Sequence, residues 1–114
     1  MEIRDATAGL SALAHEGRLA IFRLLVQGGD GGLAAGDIAR RLSVLPNTLS
    51  ANLNVLANAG LIASRREGRS IIYTARYDRM RELMGFLVQD CCNGDPEICA
   101  RLADMARVRC GEPV

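Results

Sequence analysis

The run Cys91-Cys92-Asn93-Gly94-Asp95-Pro96-Glu97-Ile98-Cys99 gathers three of the chain's four cysteines. Adjacent thiols at a fraying helix end can close on one ion. The third thiol returns to them through the Asn93-Gly94 break. Three thiolates without a nearby histidine suit a soft, thiophilic ion in three-coordinate, pyramidal geometry, whereas zinc usually takes a fourth ligand. Asp95 is a good helix N-cap, Pro96 a good first helical residue, and Glu97 suits a first turn. A last helix is therefore expected from Pro96 to about Val108, with Cys99 in its opening turn, where the helix start favours the thiolate. Other chemistries fit the same residues: buried cysteines packing as small hydrophobes, a dithiol switch answering oxidants or persulfide, or a zinc set completed by Cys110.

A second set of residues could do recognition rather than chemistry. Pro46 fits the first position of a helix and Gly60 its closing residue. At about 100° per residue, Leu49, Leu53 and Leu56 share one side of that helix. Asn47, Ser50, Ala51, Asn54 and Asn58 share the other, without a single charge. Asn amides pair bidentately with adenine, and small hydroxyls, Thr48 and Ser50 among them, contact bases or phosphates. A merely solvated face would ordinarily carry Glu, Lys and Arg. Directly after this helix, Leu61, Ile62 and Ala63 begin a strand. Arg65, Arg66, Glu67, Gly68 and Arg69 make a turn centred on Gly68, and Ile71, Ile72 and Tyr73 return. An arginine-tipped hairpin following an uncharged polar helix is what a groove reader with a phosphate-contacting wing needs.

Charge is distributed to match. The whole chain has a formal net charge of +1, which says nothing about nucleic acid. Yet residues 40–76 hold six arginines against the lone Glu67, while the segments on either side carry more acids than arginines. Such a local positive footprint is what a phosphate backbone attracts. The absence of lysine carries little weight.

The elements that must position these groups follow from periodicity. Residues 3–14 form a weakly amphipathic, alanine-rich helix whose small residues admit close packing of a neighbour. From about His15 to Gln27 a second helix is apolar around much of its girth and is expected to be the central core helix, with His15 as a cap or surface residue. The glycine-rich run Gly28–Gly36 reads as a flexible loop. A short third helix, Gly36 to Leu42, turns Ile38, Ala39 and Leu42 inward, with Arg40 and Arg41 outward within reach of a DNA backbone. Ser43, Val44 and Leu45 form the tight turn into the polar helix, as in helix-turn-helix geometry. Beyond the hairpin, a helix from Tyr77 to about Asp90 carries the stripe Met80, Leu83, Met84, Leu87 and Val88, which Cys91 continues. This stripe is expected to lie beyond the core as a dimer seam.

Here the sequence resembles a known family. The run LSANLNVLANAGLIASRREGRSIIYTA looks like the recognition helix and wing of the ArsR/SmtB winged-helix repressors, and LSALAHEGRLAIFRLL, Leu10–Leu25, resembles the family's second helix and its approach. The resemblance covers about Leu10 to Val88. It implies a mainly α winged helix-turn-helix with a β-hairpin wing, dimeric through the first helix and the long helix after the wing. One departure is Ala51-Asn52, where the family often has Arg-His, so base contacts from that pair are not available. The cysteine pattern is similar to a subset of arsenic-responsive members. A Cys-x-Cys motif is absent from the third helix, which reads AAGDIARRL, and the His/Asp zinc pattern is absent from the long helix. The resemblance thus implies As(III) or Sb(III) as inducer ligand on Cys91, Cys92 and Cys99, with no organic cofactor. It also implies double-stranded operator DNA as partner, contacted by Arg40, Arg41, Asn47, Thr48, Ser50, Asn54, Arg65, Arg66 and Arg69. The alternative, a dithiol redox or persulfide sensor on the same winged helix, stays open, as does a winged helix used only for protein contacts.

Length and motif content bound the rest. At 114 residues and 49% hydrophobic, one winged-helix domain is expected over 1–114, with a C-terminal helical extension from about 91 carrying the cysteines. A chain of this size often gains stability from a partner subunit. No signal peptide or membrane span is legible, so the chain is expected to stay in a reducing cytoplasm. No enzyme is expected. One histidine leaves no triad, GGDGG lacks the Lys-Ser/Thr of a phosphate loop, and no acid, base or cofactor motif accompanies Cys91-Cys92.

Overall fold

The computed structural model describes residues 1–88 and Arg101. Its elements run α1 (Ile3–Leu13), α2 (Glu16–Gly28), a 3-10 turn (Gly29–Gly31), β1 (Leu33–Ala34), α3 (Ala35–Leu42), α4 (Pro46–Asn58), β2 (Ile62–Glu67), β3 (Ser70–Ala75) and α5 (Tyr77–Val88). The architecture is a mainly α winged helix-turn-helix with an antiparallel hairpin wing. Among the described residues, no helix is long and apolar enough to cross a membrane.

α2 is the central helix. Ile21, Phe22 and Leu25 are buried and pack with Ile38 of α3, with Leu49, Leu53 and Leu56 of α4, and with Leu61, Ile62 and Ala75 at the sheet. α2 begins where His15 caps it: Nδ1 accepts from the backbone N–H of Gly17 at 3.1 Å and of Arg18 at 3.4 Å. That satisfies donors a helix start leaves orphaned. Not all of its apolar surface is inward. Leu19 and Val26 stay exposed and line an open groove with Leu13, Phe22 and Met80.

α1 buries its small residues, Ala6, Gly9 and Ala12, and leaves Ile3 and Leu10 outside. Small side chains let the helix lie close to α2 and α4. Arg18 ties its end down, Nε donating to the Ala12 carbonyl at 2.6 Å.

The glycine-rich run is more ordered than a flexible loop. It contains the 3-10 turn and a two-residue strand, β1, which pairs antiparallel with β3 through Leu33↔Tyr73 and Ala34↔Ile72. The sheet has three strands in the order β1-β3-β2. Two residues are too few to show strand alternation, so the sequence pattern hides β1. Gly32 makes the pairing possible. At φ +72° a Cβ would stand 2.6 Å from the Tyr73 carbonyl oxygen, so only glycine lets the chain come this close to β3.

The expected stripe on the helix after the wing divides. Leu83 is buried and Met80 packs against the core, so its first turns seal this chain's own interior, whereas Met84 and Leu87 are exposed. At the start of α5, Tyr77 Oη donates to the Val26 carbonyl at 2.9 Å. Arg76 donates to Asp78 at 2.9 Å, and that hydrogen bond holds the Asp78 carboxyl below its ordinary value. Met1–Leu83 forms one compact unit; the residues from Met84 onward form a second. Cys91, Cys92, Cys99 and Cys110, the expected last helix and residues 89–90 lie outside the described residues.

Candidate nucleic-acid interface

The turn between α3 and α4 fixes how the polar helix is presented. The N–H of Val44 donates to the Ala39 carbonyl at 3.0 Å and that of Ser43 to the Arg40 carbonyl at 3.4 Å, with Ser43 left-handed at φ 53°. These two bonds are the Schellman closure of a helix, here built on serine instead of the usual glycine. The far end of α4 closes in the same way on Gly60 at φ +79°. Gly60 N–H donates to Ala57 at 3.0 Å and Leu61 N–H to Leu56 at 3.1 Å, and both leucines are buried. Both ends of α4 are thus held by backbone geometry, with α3 on one side and β2 on the other.

Along α4 the division expected from periodicity holds. Leu49, Leu53 and Leu56 are buried; Asn47, Thr48, Ser50, Ala51, Asn54 and Asn58 are exposed. Asn52 takes the inner side. It is 8% exposed, the buried polar residue among those described, and lies against the start of α2. A Cβ added at Gly17 would stand 3.2 Å from its Nδ2. Helical spacing could have placed it there, since Asn52 follows Leu49 by three positions and precedes Leu56 by four. Leu45, expected in the turn, is the N-cap of α4 and is 74% exposed.

The arginines assigned to DNA sort into different situations. Arg40 and Arg41 project outward from the last turn of α3, and Arg40 forms an exposed ion pair with Asp37. Such a pair is worth little and yields easily to a phosphate. Arg41, Arg66 and Arg69 are exposed, and their side chains have no hydrogen-bond or ion-pair partner among the described residues. Arg65 is different. Its Nη1 donates to the Asp30 carbonyl at 3.2 Å, its Nη2 to the Gly31 carbonyl at 2.8 Å and its Nε to Glu67 at 3.3 Å. The sequence reading missed this because the acceptors are main-chain oxygens of the glycine run, which no side-chain pattern reveals. The hairpin turn itself is two residues, Gly68 and Arg69, between the paired Glu67 and Ser70. Gly68 at φ +61° meets the need of a type II′ turn for glycine at its first central position.

The arrangement is an exposed, uncharged, amide-rich helix face, with unpaired arginines at the hairpin and on the preceding helix. It can offer base-edge hydrogen bonds and phosphate contacts from one compact unit. Among the described residues, no group of three or more His, Cys, Asp or Glu could hold a metal ion.

Known proteins resemble this chain in sequence and in fold. Residues 13–65 match the family model described as a helix-turn-helix domain. The biofilm growth-associated repressor of Agrobacterium fabrum is 34% identical over 83 residues, covering 73% of this chain and 68% of that protein. An ArsR-like transcriptional regulator from Rhodococcus superposes with a TM-score of 0.71 at 26% identity, over 92% of each chain. The homodimeric winged helix-turn-helix DNA-binding domain from Mycobacterium bovis superposes with a TM-score of 0.64 at 26% identity, over 98% of this chain and 90% of that one.

Proposed function

The chain belongs to the ArsR-like family of winged helix-turn-helix transcriptional regulators, and from that premise we propose that it is a cytoplasmic, metalloid-responsive repressor. As a homodimer it binds a dyad operator in double-stranded DNA. Each protomer lays α4 in a major groove, with Asn47, Thr48, Ser50 and Asn54 toward base edges. Arg40, Arg41, Arg66 and Arg69 contact phosphates, and Arg65 lends its charge from a fixed position. The observation that carries the DNA part is the charge-free, exposed face of α4. A solvated face gains nothing from amides in that pattern, while adenine pairs with them bidentately.

Homodimerisation is supported by Ile3 and Leu10 of α1 and by Met84 and Leu87 of α5, large apolar side chains exposed in the single chain, and by the homodimeric state of the mycobacterial neighbour. Two half-sites a helical turn apart require such two-fold symmetry.

The inducer part rests on the sequence. Cys91, Cys92 and Cys99 supply three soft ligands without a fourth, as trivalent arsenic or antimony prefers over zinc. Binding shifts the protein toward a form with low affinity for DNA, and by linkage DNA weakens metalloid binding by the same factor. The test is operator binding measured with and without arsenite under reducing conditions. Release by arsenite supports the reading. Release by oxidant or persulfide alone, with arsenite inert, replaces it with the dithiol switch.

A further inference from the structure

Leu45 is the most exposed large apolar residue among those described, at 74%. Exposed apolar residues occur singly on most surfaces, so the exposure acquires meaning only from its place. Leu45 is the N-cap of α4, with extended backbone at φ −65° and ψ 143°, and it makes no side-chain capping bond. A Ser, Thr, Asn or Asp at this position would accept from the N–H of Asn47 or Thr48 and steady the helix start. The chain forgoes that and sets an isobutyl group in water at the end of a recognition helix whose first residues reach base edges. Its neighbours in that first turn, Asn47 and Thr48, are exposed and uncharged. The major groove offers one apolar feature to such a side chain, the C5-methyl of thymine.

We propose that Leu45 is a specificity-determining residue that reads a thymine methyl in the operator half-site, beside the bases met by Asn47 and Thr48. The inference rests on the DNA-reading function proposed above and narrows its ligand. The preferred duplex carries thymine at one defined position. Cytosine there would set its N4 amino donor against an apolar side chain with no acceptor, and uracil would leave the side chain without the methyl. Contact with the methyl removes from water the apolar surface that the free protein exposes.

The experiment begins with duplexes enriched from a randomised pool by the full-length chain. Each thymine of one half-site is then replaced in turn by deoxyuridine, which keeps every hydrogen-bonding group and removes only the methyl. At one position the replacement should weaken wild-type binding about fourfold, the effect of one methyl left unburied. Leu45→Ala should bind the thymine and uracil duplexes alike at that position. Leu45→Ser should lose the same preference while melting at a higher temperature, because it supplies the missing cap; that separates loss of reading from loss of fold. An undiminished uracil cost in Leu45→Ala, or no uracil-sensitive position at all, overturns the assignment while leaving DNA recognition by α4 standing. Failure of the wild type to enrich any sequence overturns the DNA-reading function itself, and this inference with it.

Discussion

Arg65 of β2 donates to the main-chain carbonyl of Gly31 at 2.8 Å, tying the wing to the 3-10 turn that precedes β1. With the companion bond to Asp30 and the ion pair to Glu67, all three nitrogens of this guanidinium are engaged inside the chain. The wing is therefore braced against the 3-10 turn, and the side chains of Arg65 and Arg69 are in different situations despite lying four positions apart.

Substitution should expose that separation. Arg65→Ala is expected to lower stability by on the order of 1 kcal/mol, the net worth of a charge-assisted bond at a half-exposed site. Arg65→Lys should not restore it, because an ammonium cannot fork onto two carbonyls. Arg69→Ala should leave the melting curve in place and reduce the slope of log affinity against log salt by about 1.8, one phosphate contact from each protomer of the dimer. Chemical denaturation and salt titrations of operator binding decide it. Equal stability losses in Arg65→Ala and Arg69→Ala would remove the brace.

The amide face should carry sequence preference. Asn47→Ala and Asn54→Ala each remove a side chain able to form two bonds to an adenine edge, and each should cost about 1–3 kcal/mol per half-site of the preferred operator. Nonspecific duplex binding should hardly change. Competition between operator and random DNA is the measurement. A uniform loss on all sequences would mean that these residues touch only backbone.

How far this much could be read beforehand depended on the kind of interaction. Leu49, Leu53 and Leu56 recur at helical spacing, and one apolar face of a helix has to be buried, so the orientation of α4 and its outward asparagines followed from periodicity alone. Gly60 and Gly68 announced the helix end and the hairpin turn because few other residues tolerate positive φ. Ser43 gave no such notice: it is left-handed by virtue of the two bonds around it, not by its own preference. β1 and the bracing of Arg65 were hidden for a related reason. Both rest on main-chain groups, which every residue carries, and both depend on which distant strand comes to lie beside the glycine run. The half-hidden stripe of α5 shows the same limit. Spacing identified Met80, Leu83, Met84 and Leu87 as one side of a helix, but only the packed core shows that the first two belong to it.

Stability should report the two left-handed closures with opposite signs. Gly60→Ala places a Cβ at a residue with φ +79° and 3.2 Å from Arg79 Nε, and should destabilise by about 1–2 kcal/mol. Ser43→Gly relieves the same backbone penalty at φ 53°, offset in part by the greater freedom of glycine in the unfolded chain. It should leave stability unchanged or raise it by up to about 1 kcal/mol. Thermal melts of both variants check the pair, and destabilisation by Ser43→Gly would show that the serine side chain matters more than the backbone.

Dimer formation should depend on the exposed apolar residues outside the core. Leu10→Glu and Leu87→Glu alter side chains that are 43% and 51% exposed in the single chain, so neither should disturb the protomer's own packing. Each is expected to shift sedimentation at micromolar concentration from dimer to monomer and to weaken operator binding with it, because half-sites would then be bound one at a time. Wild-type protein that sediments as a monomer with and without DNA would rule out the symmetric complex.

The cysteines test the inducer reading most directly. The proposed inducer site, Cys91, Cys92 and Cys99 around one trivalent ion, would tie together residues that follow α5 in the sequence. The ion can act only by binding one form of the protein better than the other. Cys99→Ser should therefore bind operator as tightly as wild type yet stay bound on adding arsenite, because a hydroxyl does not replace a soft thiolate. Cys110→Ser should bind and release like wild type. Reciprocity adds a second readout: saturating operator should weaken arsenite binding by the same factor by which arsenite weakens operator binding. If Cys99→Ser is still released, or Cys110→Ser no longer is, then the terminal thiol belongs in the site and Cys99 does not hold the place assigned to it.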